Sequence, residues 1–358
     1  MIRDELLRRR LTAQLLAGPV PRGADATLTV TERLLAIQAQ DPRGARLAIR
    51  ARSRDVTAAD VDRALTDDRS LVLTWLCRGT LHLVAADDYP LLRALTTPQL
   101  ETGSDRRLAQ EGVDPRRARR GIDTIERALS ADGPLGAGEL RERVRTAGVP
   151  VAGQAMVHLL YRSALEGRIV RGPVSGSEHR YALLADWLPS AADATARVAA
   201  DRERALRELA LRYLAGHGPA GERDLAKWAG LPLRDARAGL AALGDRLRTR
   251  QDDLVELVSA ARIGRLSRPR LLGAFEPLLM GWRSREPVLG EHDARIVTGG
   301  IFRAFAFAPL AEHPGGRPVA IWKFSRDGVE LTPLQALDPS LADALAADGD
   351  AVLQFLGR

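Results

Sequence analysis

Two glutamines separated by a single residue, Gln38 and Gln40, stand in the segment TVTERLLAIQAQDPRGARLAIRAR, residues 29–52. Thr29 and Glu32 have the spacing of a capping box, so a helix is expected to begin just after Thr29, with Leu34, Leu35 and Ile37 on its buried side. Asp41-Pro42 is expected to end it, because a residue before proline is pushed out of the helical region. The two glutamines then fall at a helix C-terminus. On a regular helix, residues i and i+2 point apart. Where the backbone leaves the helix, both amides could be aimed at one cavity, offering hydrogen bonds and dipoles without a net charge. The plain alternative is two surface glutamines near a helix end.

A second polar constellation lies in TWLCRGTLHLV, residues 74–84. Arg78, Thr80 and His82 alternate, so in a strand they share one face while Leu81 and Leu83 take the other. Such a face borders a pocket or faces water.

Other chemistries are short of residues. The chain has no GxxxxGKS/T phosphate loop, no GxGxxG and no GxSxG elbow, and its histidines make no HxxxH pair. A metal site is therefore not expected, nor is a cofactor. Cys77 is the single cysteine, which excludes an internal disulfide framework and points to a reducing cytoplasm. Only Lys227 and Lys323 are lysines, so Schiff-base chemistry has few candidates. The N-terminus MIRDELLRRRL lacks the apolar stretch of a signal peptide, and no apolar run is long enough to span a bilayer.

The 358 residues carry 53 Lys+Arg against 46 Asp+Glu, a net charge of +7, and are 45% hydrophobic and 28% charged. That is a folded chain with room for more than one core. Nearly all the basic residues are arginines, and asparagine is absent, a bias that high genomic GC content produces on its own. The basic excess also suits a polyanionic partner, since guanidinium groups grip phosphates in pairs of hydrogen bonds.

Three stretches share a rhythm of helices followed by two short strands. In the middle one, helices are expected over Arg119–Ser130, Glu139–Thr146 and Gln154–Leu165, with Ile122, Ile125, Leu129, Leu140, Val144, Met156, Leu159 and Leu160 inward. A hairpin should follow, with strands at 168–171 and 180–184 and a tip at 172–179. The third stretch repeats this with helices Arg202–Gly216, Glu222–Trp228 and Leu233–Leu243, then strands near 245–250 and 253–258. The first is looser: Met1–Leu16, Glu32–Gln38, Ala58–Leu65 and Leu71–Trp75 as the helical set, then a strand over Gly79–Val84. Three helices and a hairpin make the winged-helix plan. The expected organisation is 1–115 with the Gln-x-Gln pair, 116–190, 191–268, and a β-rich domain at 269–358 with strands at Ile296–Thr298, Ile301–Ala308 and Val319–Phe324. The fold class is α+β, mainly α.

RLLAIQAQDPRGA, TWLCRGTLHLV, LLGAFEPLLMGWR and GGIFRAF, in that order, resemble the winged-helix DNA-binding family that includes the AlkZ-type DNA glycosylases. The resemblance runs over nearly the whole chain. It implies three tandem winged-helix units in a C shape, closed by a small C-terminal β-barrel. Gln38-Ala39-Gln40 fits the family's Gln-aliphatic-Gln catalytic signature, although Ala39 is small for the middle position. A broader subgroup has Asp in place of the second glutamine. With Gln40 there, the chain is similar to the self-resistance branch, whose members unhook interstrand crosslinks made by bulky alkylating antibiotics.

What the resemblance implies is a monofunctional glycosylase acting on double-stranded DNA with alkylated or crosslinked purines, as a cytoplasmic monomer. Alkylation at N7 makes the purine a cationic leaving group, so less general-acid help is needed. The remaining work is to place a water and stabilise an oxocarbenium-like sugar, and neutral glutamine carbonyls can do both. Arg43, Arg46 and Arg78 are the expected phosphate contacts, with Thr80 and His82 lining the site. A crosslinked base cannot rotate into a tight pocket, and 15 aromatics in 358 residues are few for a stacking cage, so an open cleft is expected. The rivals are a non-catalytic winged-helix regulator or lesion-binding protein, and a general glycosylase for simple N7-alkylpurines.

Overall fold

Residues 115–183 fold as their apolar spacing demands. Asp114 caps the helix Pro115–Asp132 by accepting from the Arg117 amide at 2.9 Å, and Pro115 occupies the first helical position, where no amide hydrogen is needed. Helices Ala137–Thr146 and Ala155–Leu165 follow. Ile122, Ile125 and Leu129 from the first, Leu140 and Val144 from the second, and Met156, Leu159 and Leu160 from the third are all buried in one core. Spacings of three and four residues put each set on one helix face.

The hairpin that closes this core is longer than expected. Strands Ile169–Ser175 and Glu178–Leu183 pair from Ile169↔Leu183 out to Ser175↔Glu178, with a shift of register between Arg171 and Val174. Pro173 has no amide hydrogen to donate and interrupts the ladder only locally, as a bulge. The Val174 amide is satisfied by the Thr66 hydroxyl at 3.0 Å.

The computed structural model describes residues 2–176 and 178–358, with nothing on the side chains of Ile2 and Arg3. Met1, expected at the start of a helix, and Ser177, expected in the hairpin tip, lie outside the described residues. The chain forms two compact units, one from Met1–Val61 with Leu206–Arg358 and the other from Asp62–Ala205.

In the unit 62–205, Leu71–Leu76 corrects the expected helix at 71–75. It is a strand, paired antiparallel with Thr80–Ala85 in the register Leu71↔Ala85 to Leu76↔Thr80. Its other edge meets the hairpin at Leu73↔Arg171. A short continuous apolar run such as LVLTWL does not reveal its own period. Buried on both faces, it takes the extended form.

In the other unit, helices Ile2–Ala13, Ala26–Leu34 and Pro42–Ala51 join Arg202–His217, Glu222–Ala229 and Leu233–Ala241, then the hairpin of Leu247–Thr249 with Val255–Leu257. A buried aromatic group holds part of it together. Tyr213 stacks on His217 at 4.9 Å, both meet Trp228, and Trp282 lies edge-on to His217. The Tyr213 hydroxyl donates to the Gly281 carbonyl and the Trp282 indole to the His217 carbonyl, each at 2.8 Å. These bonds fasten the segment 281–282 to the helix Arg202–His217.

The expected C-terminal barrel is corrected to an open sheet. Strands run antiparallel in the order Gly328–Pro333, Arg317–Ser325, Phe305–Ala308, Arg270–Leu272, and among the described residues the two outer strands do not meet. The expected strand Ile301–Ala308 is two pieces, Ile301–Phe302 and Phe305–Ala308, in different sheets. Helix Pro339–Phe355, not anticipated from the sequence, packs on both edge strands and on Pro42–Ala51. No described helix is long and apolar enough to cross a membrane.

Candidate active site

The helix that precedes the glutamines starts and stops earlier than its sequence suggests. It begins at Ala26, which places Thr29 inside it with its hydroxyl donating back to the Asp25 carbonyl at 3.1 Å. It ends at Leu34, where Leu35 adopts a φ of 63° while fully buried. A positive φ at a bulky residue is sparsely populated, and it persists only where the surroundings enforce it. That turn throws the chain out of the helix, so Ile37–Gln38 is extended.

Asp41-Pro42 is therefore the start of a helix. The Asp41 carboxylate accepts from the Arg43 amide at 2.9 Å and the Gly44 amide at 3.1 Å, and Pro42 is at the first helical position of Pro42–Ala51. Gln38 and Gln40 sit between a forced turn and a capped helix. The strand Ile37–Gln38 gives way to a bend at Gln40. Across it the Gln38 Nε2 donates to the Gln40 Oε1 at 2.6 Å.

The pair runs from the interior to the surface. Gln38 is 5% exposed, and Gln40 is exposed. Among the described residues, the buried Gln38 Oε1 has no hydrogen-bond partner. An acceptor left unmade in a buried place is costly, of the order of 1–3 kcal/mol, and is the group a water or a developing positive charge would satisfy. Helix Pro277–Met280, from the segment LLGAFEPLLMGWR, packs against Ile37–Gln38. Gly44 approaches the Ala274 carbonyl so closely that a Cβ there would collide with the oxygen. Only glycine lets the capped helix lie this near the 273–275 segment.

Arg43 and Arg46 belong to this same helix. Arg43 is exposed and its guanidinium lies over the Phe324 ring, 4.8 Å from the centroid. Arg46 turns back to the Pro42 carbonyl at 2.9 Å. A stacked guanidinium keeps its in-plane donors for another ligand.

Arg78, Thr80 and His82 are in the unit 62–205, and their expected alternation holds for Thr80 and His82 only. Arg78 lies in a tight turn with a φ of 59°, outside the strand that begins at Thr80. His82 is 2% exposed and its Nδ1 lies 2.9 Å from the Thr80 carbonyl. A carbonyl only accepts, so Nδ1 carries the hydrogen. Burial, with the Arg78 charge adding to it, pushes the His82 pKa down to about 3, so the ring is neutral at physiological pH. Among the described residues, no cluster of three or more His, Cys, Asp or Glu could hold a metal ion.

Sequence reasoning missed two features here. Asp41 as a cap was legible, since Asp followed by Pro opens a helix as readily as it closes one. The Phe324 platform under Arg43 was not, because 281 positions separate the two residues.

Comparisons with known proteins place the chain in a family. A family model described as DNA glycosylase AlkZ-like matches residues 31–355. The solved structure of Streptomyces sahachiroi DNA glycosylase AlkZ superposes with a TM-score of 0.73 at 22% identity, covering 99% of this chain and 96% of that one. At that identity the likeness shows a common fold. No curated protein matches the chain. Because the family model spans nearly its whole length, the chain belongs to the AlkZ-like DNA glycosylase family.

Proposed function

We propose that this glycosylase hydrolyses the N-glycosidic bond of N7-alkylated purines in double-stranded DNA, and that its preferred lesions are bulky antibiotic-type adducts and interstrand crosslinks. The observation that carries this reading is the glutamine pair itself: Gln38 Nε2 donates to Gln40 Oε1, and the buried neutral carbonyl of Gln38 has no partner among the described residues. An N7-alkylated purine is already cationic and leaves without a strong general acid. Placing a water and stabilising the oxocarbenium-like sugar is work that a fixed amide dipole can do.

The lysines favour plain hydrolysis over a Schiff-base route. Lys227 donates to the Arg283 carbonyl at 3.2 Å and Lys323 pairs with Glu330 at 3.0 Å, so both amines are engaged. In this reading the segments 115–183 and 202–257 act as winged-helix modules on the duplex. Arg43, Arg46 and Arg78 supply phosphate contacts, and Thr80 supplies a polar lining. The enzyme works as a cytoplasmic monomer, and its buried Cys77 thiol, pushed up in pKa by burial, is inert.

The test is base excision from duplexes carrying N7-methylguanine or a bulky N7-guanine adduct, with abasic sites revealed by alkali. Removing one preorganised hydrogen-bonding group costs about 10²–10³ in rate. Gln38→Ala and Gln40→Ala should each lose about that much while still binding the duplex. The ratio of rates on the two substrates measures the preference for bulk. Tight binding without excision on either substrate would make the protein a lesion binder instead.

A further inference from the structure

Within the unit formed by Met1–Val61 and Leu206–Arg358 lies a crevice of about 850 Å³ that the catalytic reading does not use. Ala347 and Ala351 of the helix Pro339–Phe355 face it and are too small to fill it. Five arginines line it with two aspartates. Arg22 pairs with Asp55 at 2.8 Å, both exposed, and Arg50 clamps Asp348 with two bonds of 2.8 Å. Asp348 also accepts from the Leu271 amide at 2.7 Å, so its oxygens are taken.

Arg54, Arg268 and Arg270 remain, and none forms an ion pair among the described residues. Arg54 and Arg268 are exposed, whereas Arg270 is 7% exposed. Its guanidinium reaches only backbone carbonyls, those of Ala51 at 3.4 Å and Pro269 at 3.3 Å. Burial first, and then the Arg268 charge, push the Arg270 pKa down to about 10, and burial with the Arg54 charge lowers that of Arg268. The Asp348 charge offsets only part of this, and Arg270 has no carboxylate within ion-pairing distance among the described residues. A compositional excess of arginine does not by itself sink one beside two others in this way, because desolvating a charge without a direct partner is costly.

We propose that this crevice is a second binding site for the phosphates of a DNA strand, held by Arg54, Arg268 and Arg270. A strand offers successive single charges on flexible spacers, which suits three separate guanidinium groups lining one crevice, and DNA is the polyanion on which this family acts. The proposal rests on the DNA-acting reading above, but not on the chemistry assigned to Gln38 and Gln40.

The test is binding of undamaged duplex DNA, by fluorescence anisotropy over a range of salt concentrations. Each phosphate contact contributes about 0.9 to the slope of log affinity against log salt. Arg54→Gln/Arg268→Gln should make that slope shallower by about 1.8. At low salt and without DNA, the same variant should melt at a higher temperature than the wild type, because like-charge repulsion is relieved. Arg270→Met, read the same way, tests the buried member. Single-turnover excision at saturating enzyme should be unchanged. An unchanged slope with a lowered melting temperature would make these arginines structural and overturn the proposal. So would an unchanged slope with poly-glutamate or inorganic phosphate binding lost instead. Failure of excision in the wild type, with the slope still falling in the arginine variant, would sink the glycosylase chemistry and leave this site standing.

Discussion

Arg52 and Glu276 form an ion pair sealed completely from solvent, with both side chains at 0% exposure. Arg52 is the C-terminal cap residue of the helix Pro42–Ala51, and Glu276 is the N-cap of Pro277–Met280, the helix that packs against Gln38. The Arg52 guanidinium also donates to the Gln14 Oε1 at 2.8 Å and the Ala48 carbonyl at 2.9 Å, and the Glu276 carboxylate accepts from the Leu278 amide at 3.2 Å. Segments distant in sequence are thus joined beneath the glutamine pair by one set of buried bonds.

Removing either partner strands a buried charge. Arg52→Met or Glu276→Leu should cost about 3–5 kcal/mol of stability, and combining the two substitutions should recover much of that. Denaturant unfolding of the three variants checks both statements. The recovered double variant is also expected to excise more slowly than the wild type. Apolar side chains restore burial, but not the bonds that orient the cap of Pro277–Met280.

Asp41 ties local capping to the site. Asp41→Ala should lose about 1 kcal/mol, whereas Asp41→Asn keeps an acceptor at the same place and should lose little. Excision should follow the same order, with the alanine variant slower, because the first turn of Pro42–Ala51 sets where Gln40 points. Thermal melting and excision rate measured on the same preparations decide whether the two effects move together.

Acid sensitivity should come from histidines before carboxylates. Burial holds His82 and His217 each at about 3, and lowers His158 as well. These values lie below the ordinary 6.5, so the unfolded chain binds more protons than the folded one as soon as pH drops past 6.5. Stability is fully present above that point. It should decline towards pH 4.5 by as much as about 1.4 kcal/mol per pH unit for each strongly shifted histidine. The lowered carboxylates Glu5, Glu166 and Glu222 act only below their ordinary 4.5, so the window between is a histidine window. His82→Gln should flatten the fall in melting temperature from pH 7 to 5, while excision stays level from pH 7 to 9 because neither Gln38 nor Gln40 titrates.

Asp-Pro occurs at 41–42, 114–115 and 338–339, and all three open a capped helix. The signal was present in the sequence each time. Taken at Asp41 as a stop, it hid the helix Pro42–Ala51, and the same oversight hid Pro339–Phe355, whose Asp338 accepts from the Leu341 amide at 2.9 Å. The glutamine pair itself was legible as a pair, but for the wrong reason. Its residues meet where the strand Ile37–Gln38 runs into a bend at Gln40, and the helix has already ended at Leu34.

Elements with a strong local pattern were legible in the chain alone: the helices of 115–165, whose buried faces repeat every three or four positions, and the hairpins at 169–183 and 247–257, marked by their turn residues. The remaining features come from packing. The strand at 71–76, the positive φ at Leu35, the Arg52–Glu276 pair and the gathering of arginines 54, 268 and 270 in one crevice each depend on which surfaces are buried together. An apolar run takes the backbone that its burial on both faces demands, and a charge acquires its partner, or lacks one, only when segments hundreds of residues apart are packed against each other.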